Sequence, residues 1–373
     1  MIYSLMTYLA SPVLYLLLLF RQRDDVKKIL IIQTAKIGDL ICSTPVFREI
    51  KKKYPNVQLS VMVNPVTKGL LEHNPRVDKV ITIENKDYKG FSGKLRLSSL
   101  IRRENYDIAI CLNPNVPFTI VLFWGLVPIR LSIMPNFTGV TFRLASVFYT
   151  YLERHTSGQM VVVTYLKMLK VIGIESDDIS KEVYKSEDAD AKARQIFENA
   201  GKPLIGIAIS SGNKLKELGA EKIAGLTNML LDNMDIYVAL IGSHQDKITA
   251  GTISDSVMQK DRLINAAGTL NLKELPALIQ RLSLFIGVDT GITYMADALS
   301  IPIIHLAGPI DISEQRPAGK NVKIIQNELP CVPCTYVFKA AYSCKINTRE
   351  CIESVAAGEI LKAVKILALP YKE

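Results

Sequence analysis

Histidine is scarce in this 373-residue chain. His73, His155, His244 and His305 are the only four, and they share no metal-ligand spacing. Each reads as a structural residue. No GxGxxG fingerprint occurs, which argues against a nicotinamide oxidoreductase. Zinc-finger spacing, RNA-recognition aromatics and a continuous basic stripe are also missing, so no nucleic acid is expected as a partner. There is no repeat of solenoid period and no low-complexity tract. Charge is sparse as well. Charged residues make up 22% of the chain against 49% hydrophobic, so it can bury large cores and is not disordered.

The length favours two domains. Lysine and arginine total 45 against 36 acidic residues, a net charge of +9. They gather at Lys51–Lys53, from Lys86 to Arg103, and from Arg21 to Lys28. Such a balance suits an anionic membrane surface or an acidic substrate, and ordinary solvated helix faces produce it equally well. The first twenty residues, MIYSLMTYLASPVLYLLLLF, are almost uncharged and end at Arg21-Gln22-Arg23. A membrane span needs roughly 20 apolar residues. Pro12, Ser4, Thr7 and Ser11 weaken that reading, and no small-residue cleavage site follows. A single anchor, an in-plane helix and a helix packed on its own domain all remain open, and the basic flank favours a cytoplasmic body.

Of six cysteines, Cys42 and Cys111 lie in apolar settings and read as buried free thiols. Cys331, Cys334, Cys344 and Cys351 crowd one loop-rich segment. One CxxC with two later cysteines fits a tetrahedral structural zinc site or two disulfides, and lacks the second CxxC of a zinc ribbon.

Strand-like and helical runs alternate along the rest of the chain. The first series has strands at Lys28–Ile32, Val57–Val63, Val80–Ile83 and Tyr106–Leu112, and helices at Leu40–Lys53, near Val66–Glu72 and at Leu95–Glu104. The stretch Val116–Gly173 is less regular, with helices expected around Gly139–Leu152 and Gln159–Val171, and the polar run Glu175–Asp190 reads as a connection. A second series has strands at Leu204–Ile209, Ile236–Ile241 and Leu263–Ala266, with helices at Ala220–Leu231 and Leu272–Arg281. The alternation predicts parallel sheets covered on both faces, in two Rossmann-like domains facing a cleft. The tail, Ile352–Leu369, reads as a helix that packs back across the domains.

Four motifs carry chemistry. In KILIIQTAKIGDLICSTPVFREIKKKYP, a strand feeds a polar loop and Lys36, Gly38 and Asp39 stand where a helix begins. Asp39 reads either as a helix cap or as a general base over a cleft. In LIGIAISSGNKLKELGAEKIAGL, the end of a strand brings Ser210, Ser211, Gly212 and Lys216, a plausible diphosphate cradle or a polar loop with solvated lysines. IGSHQD ends a strand and offers Asp246 to a ribose hydroxyl. The fourth, FIGVDTGITYMADALSIPIIHLAGP, is a strand, a turn, a helix and a strand, with Asp289, Thr290 and Gly291 where the helix starts. A helix N-terminus at the carboxyl edge of a parallel sheet favours phosphate.

In this order the motifs resemble glycosyltransferase family 9, the ADP-heptose:lipopolysaccharide heptosyltransferases. The likeness rests on IGDLICSTPVFREIKKKYP, HNPRVDKVI, SSGNKLKELGAEKIAGL, GVDTGITYMADALSIPIIHLAGP and the cysteine-rich tail. It covers roughly residues 27 to 360. The resemblance implies a GT-B fold in the α/β class, and the expected layout follows. A hydrophobic membrane-associating segment occupies 1–26, an acceptor domain 27–178, a nucleotide-sugar domain 188–350 and a C-terminal helix 351–373. It also implies an inverting transfer with Asp39 as general base and Lys36 and Gly38 in the phosphate or acceptor loop. Lys216 would bind the donor phosphates, beside Ser210, Ser211, Asp246, Asp289, Thr290, Gly291 and Tyr294. No cofactor is required when fixed positive groups stabilise the leaving diphosphate. The implied partners are a nucleotide sugar, ADP-heptose first among them, a lipopolysaccharide-type glycolipid and the anionic cytoplasmic face of the inner membrane. Tyr294 stands where the family usually has histidine, and Leu218 where tryptophan is common. Another nucleotide sugar serving a different cell-surface glycan, or a non-catalytic binding protein, is the alternative.

Overall fold

The computed structural model of the protein describes residues 2–21, 25–200 and 203–368. Gln22 and Arg23 of the basic flank, and Leu369 at the end of the tail, lie outside them. The chain divides into two compact units, Met1–Ile179 and Ser180–Glu373.

The first unit is built on a six-stranded sheet. Its strands are β1 (Lys28–Gln33), β2 (Gln58–Val63), β3 (Lys79–Thr82), β4 (Ile108–Cys111), β5 (Ile129–Met134) and β6 (Tyr151–Arg154). They pair in the order β3-β2-β1-β4-β5-β6, every pair parallel. β1 lies at the centre, with Ile29 opposite Leu59 on one side and Ile108 on the other. All five residues after Lys28 in β1 are buried, as expected of a strand covered on both faces. The expected helix over Leu40–Lys53 is two helices, Ile37–Cys42 and Thr44–Lys53, meeting at Ser43. Pro45 causes the break: it has no N–H to give and its ring would clash with the carbonyl of Ile41.

The N-terminal helix, Ile2–Leu19, packs on this unit. Leu14, Leu17 and Leu18 join a cluster with Phe123, Trp124, Leu126 and Phe148. Trp124 Nε1 donates to Thr7 Oγ1 at 3.0 Å, and the Tyr8 hydroxyl donates to the Leu144 carbonyl at 2.6 Å.

The second unit repeats the architecture. Its strands are β7 (Leu204–Ala208), β8 (Tyr237–Ile241), β9 (Leu263–Asn265), β10 (Leu284–Val288), β11 (Ile303–Leu306) and β12 (Val322–Ile325). The order is β12-β11-β10-β7-β8-β9, again parallel throughout. The expected tail helix is two pieces, Glu350–Glu353 and Ala357–Ala368. The longer one is buried within this unit, with Ile360, Ala363 and Val364 in the core formed by Ile205, Leu230, Ile286 and Ile304. Lys181, just after the boundary, forms a buried ion pair with Asp297 at 2.7 Å, the two side chains 2% and 4% exposed. Asp297 also accepts from the Gly319 and Ala318 amides at 2.8 and 3.1 Å, so its buried charge is fully engaged.

Candidate active site

In a parallel sheet, ligands sit outside the carboxyl ends of the strands where the strand order reverses. Within the first unit that point lies between β1 and β4. The chain leaving β1 runs through Thr34, Ala35 and Lys36 into the Ile37–Cys42 helix. Gln33 pins the turn: its side chain donates to Ser43 Oγ at 2.9 Å and accepts from the Ala35 amide at 3.4 Å. Half-buried Asp39 accepts from the Lys36 amide at 3.1 Å, capping the helix that carries it. Asp39 also bears on buried Tyr165, whose phenol is raised by burial first and then by the charge of Asp39. Gly38 is buried and Lys36 is exposed.

Beside this turn a cavity of about 560 Å³ opens among residues that follow four neighbouring strands. Thr34 follows β1, Asn64 follows β2, Ile83 to Tyr88 follow β3, and Asn113 and Asn115 follow β4. Asn113 Nδ2 donates to Thr34 Oγ1 at 3.0 Å across the reversal point. Asn64 and Asn115 hold their side-chain oxygens on local backbone, accepting from Val66 N at 2.9 Å and Phe118 N at 2.8 Å. The volume falls within the usual range for small-molecule sites, about 300–1,000 Å³.

The reversal point of the second unit lies between β7 and β10. Ser210-Ser211-Gly212 follow β7 and Asp289-Thr290-Gly291 follow β10, and the two turns bond directly, Ser211 Oγ donating to the Asp289 carbonyl at 3.2 Å. Glu217 steadies the first turn by accepting from the Ser211 amide at 3.0 Å. Lys216 Nζ pairs with Asp289 Oδ2, the side chains 15% and 11% exposed. The Tyr294 hydroxyl donates to the other carboxylate oxygen at 2.5 Å. Burial pushes the Asp289 carboxyl up, but the charge of Lys216 and the hydrogen bonds from Lys216 and Tyr294 outweigh it and hold the group below the usual carboxylate value. Nearby His305 on β11 is fully buried, and neither ring nitrogen has a hydrogen-bond partner. Burial drives its pKa down to about 4 against the pull of Asp289 and Asp297.

The helix Gly291–Ala298 starts at this crevice. Thr293 ties its first turn back to the strand, its hydroxyl donating to the Val288 carbonyl at 2.6 Å. The amides of Gly291 and Ile292 open the helix without intrahelical acceptors, as at any helix start.

Parallel sheets with a crevice at the strand-order reversal are shared by many enzymes, and comparison with known families narrows the choice. A family model described as glycosyltransferase family 9 (heptosyltransferase) matches residues 94–341. The chain belongs to glycosyltransferase family 9. This glycosyltransferase is 25% identical over 290 residues to lipopolysaccharide heptosyltransferase 3 of Escherichia coli K12, covering 76% of this chain and 83% of that one. Among solved structures, E. coli ADP-heptose lipopolysaccharide heptosyltransferase II superposes with a TM-score of 0.71 at 18% identity, over 91% of this chain and 98% of that one. A family 9 glycosyltransferase from Veillonella parvula gives 0.73 at 20%, over 94% and 99%. The paired parallel sheets are thus the GT-B fold of those structures.

Other residues singled out in the sequence take these places in the family 9 enzyme. Asp246 caps its own turn beyond β8, accepting from the Ser243 amide and hydroxyl, each at 2.7 Å. Tyr294 is 2% exposed and turned onto Asp289, while Leu218 belongs to the core of the second unit. The tail cysteines correct an expectation. Burial raises the Cys351 thiol, and the charges of Cys334, Cys331 and Cys344 raise it further. All are free thiols, ranging from exposed at Cys331 to buried at Cys351. Among the described residues no group of three or more His, Cys, Asp or Glu is placed to hold a metal ion, so the structural zinc site is not supported. The disulfide alternative is likewise not formed. The same segment instead braces the Lys216 loop, since Asn213 Nδ2 donates to the Ala341 carbonyl at 2.8 Å and Arg349 donates to the Glu217 carbonyl.

The cavity asparagines escaped sequence reasoning. Their signal was present in Asn64-Pro65 and Asn113-Pro114-Asn115, each placed just after an apolar strand.

Proposed function

We propose that this family 9 enzyme is an inverting heptosyltransferase. It would move heptose from ADP-heptose onto a lipopolysaccharide-core acceptor, at the cytoplasmic face of the inner membrane. The names of its relatives supply the sugar and the acceptor class. The observation that carries the reading is the Lys216–Asp289–Tyr294 cluster at the β7/β10 reversal, beside the start of the Gly291–Ala298 helix. As the anomeric carbon–oxygen bond breaks, negative charge grows on the departing ADP. A fixed ammonium and unpaired helix amides stabilise that charge where it develops. Asp289 itself would repel a diphosphate, so its part is to orient Lys216, with Tyr294 holding the carboxylate in place. Thr290, Gly291, Ser210 and Ser211 line the phosphate approach, and Asp246 meets the ribose.

In the first unit, the asparagine-lined cavity suits a sugar. Each engaged asparagine oxygen leaves an amide N–H2 that can donate to saccharide hydroxyls. Asp39 accepts the proton of the attacking acceptor hydroxyl as that oxygen bonds to the anomeric carbon, and Lys36 and Gly38 shape the turn around it. Purified enzyme, ADP-heptose and a heptose-deficient core acceptor test the reading. It predicts release of ADP and a product of inverted anomeric configuration; retention of configuration, or turnover only with other nucleotide sugars, would refute it.

A further inference from the structure

The N-terminal helix is built inside out for a helix in water. Its inward stripe, Ser4, Thr7, Ser11, Leu14 and Leu18, follows helical spacing and carries its serines and threonine. Ser4 and Thr7 are buried, and Thr7 binds Trp124. The outward stripe is wholly apolar, with Leu9 76%, Val13 62% and Leu16 57% exposed. The helix carries no charge at all. Apolar area continues onto neighbouring elements at Phe91 and Leu95 of the helix Gly90–Glu104, and at Val140, Leu144 and Val147. Together these residues make a patch of the kind that marks a membrane or protein contact.

The charge around the patch identifies its occupant. Exposed Arg96, Arg102, Arg103 and Arg143 stand on the adjoining helices, whose single acid, Glu104, is paired with Lys79 and Lys28. Apolar area rimmed by arginines complements a bilayer with anionic head groups.

The helix is attached to the folded unit along its whole length. Lys94 Nζ lies 4.3 Å from the Tyr3 ring centroid, Tyr15 packs on Phe123 with centroids 5.0 Å apart, and Arg21 donates to the Arg102 carbonyl at 3.1 Å. A helix crossing the bilayer would drag Lys94 and Arg102 into hydrocarbon, at a cost of several kcal/mol for each unpaired polar group.

We infer that this helix lies in the membrane plane and that its outward face, with Phe91, Leu95 and Leu144, docks the first unit on an anionic bilayer. The inference rests on the membrane location proposed above. It also has a consequence for the acceptor. The cavity residues Asn85 to Tyr88 run directly into the Gly90–Glu104 helix, and Lys94 donates to the Tyr88 carbonyl at 3.2 Å. A glycolipid anchored in that bilayer would present its sugar beside the cavity.

The test uses the full-length protein in flotation with phosphatidylethanolamine–phosphatidylglycerol vesicles and with phosphatidylcholine vesicles. Wild type is expected to float with the anionic vesicles. Leu9→Glu with Val13→Glu, and separately Arg102→Glu with Arg103→Glu, are each expected to weaken binding about tenfold or more while the thermal melt stays put. An epitope tag at the N-terminus should be digested by protease added to inverted inner-membrane vesicles. Failure of wild type to bind any vesicle would overturn the membrane location itself. Binding indifferent to the Leu9 and Val13 changes, or a protected tag, would overturn the in-plane face while leaving that location standing. Conversion of a dimer to a monomer by those changes, with vesicle binding intact, would assign the face to self-association instead.

Discussion

Substitutions at the Lys216–Asp289 pair separate what holds the β7/β10 crevice together from the donor binding proposed for it. Both side chains are largely buried, at 15% and 11% exposure, and Tyr294 supplies the carboxylate with a second partner. Lys216→Met leaves a buried carboxylate with one neutral donor. Breaking a buried pair from one side costs about 3–5 kcal/mol. Asp289→Asn strands the ammonium and is expected to cost a similar amount. The double variant removes both charges and should recover to within about 1 kcal/mol of wild type, because an uncharged pair of similar shape is close to neutral. The expected coupling is therefore several kcal/mol, far above the ~0.5 kcal/mol seen for independent sites. Urea melts of the four proteins, followed by a probe within the second unit, measure it. Calorimetric titration with ADP gives the functional half: the double variant should regain stability and still bind ADP at least tenfold more weakly. Additive single effects would refute the pairing, and full ADP affinity in the double variant would refute the phosphate role of Lys216.

Acid should weaken the second unit through His305. Its folded-state pKa of about 4 lies below the ordinary histidine value of 6.5, so between those values the unfolded chain takes up a proton that the folded one does not. Stability is full above pH 6.5 and falls by roughly 3 kcal/mol towards pH 4, and His305→Leu should flatten that slope in urea melts. Gly287→Ala would set a Cβ 2.5 Å from Thr293 Oγ1 and 2.6 Å from Phe285 Cε1, displacing the first turn of the helix at the crevice. A loss of about 1–3 kcal/mol with weaker ADP binding is expected, read by melting and calorimetry. Lys181→Met should cost about 3–5 kcal/mol because its partner Asp297 is buried, whereas Lys86→Met, whose partnership with Glu84 is exposed, should leave the same melts close to wild type.

The central strands were legible because parallel strands covered on both faces read as unbroken apolar runs, as β1, β7 and β10 do. The unread elements each hide that signal. β5 carries Arg130 in its interior, a buried guanidinium that donates to the carbonyls of Phe148 and Pro128, and so it does not look like a strand. β6 and β12 are short edge strands with exposed polar positions. The helix Val116–Trp124 is apolar on every side, which leaves no periodicity to detect. The tail helix was visible, but its packing entirely within the second unit depends on contacts distant in sequence.

The site followed the same division. Asp39, Ser211, Lys216 and Asp289 stood out because each follows a strand. That Lys216, Tyr294 and Asp289 form one cluster depends on β7 lying beside β10, a pairing no local pattern reveals. The cavity is more extreme, since its residues follow four strands and meet only through the order β3-β2-β1-β4. His305 looked structural in sequence, and its burial without a hydrogen-bond partner is the reason acid sensitivity is expected there.

Asp39 is proposed as the base of a heptosyl transfer whose donor is held elsewhere, by the second unit. Asp39→Asn, assayed for transfer from ADP-heptose to a core acceptor alongside calorimetric ADP binding, tests it most directly. The account predicts a loss of transfer of about a hundredfold or more with ADP affinity unchanged. Transfer and ADP binding falling together, or transfer surviving intact, would contradict it.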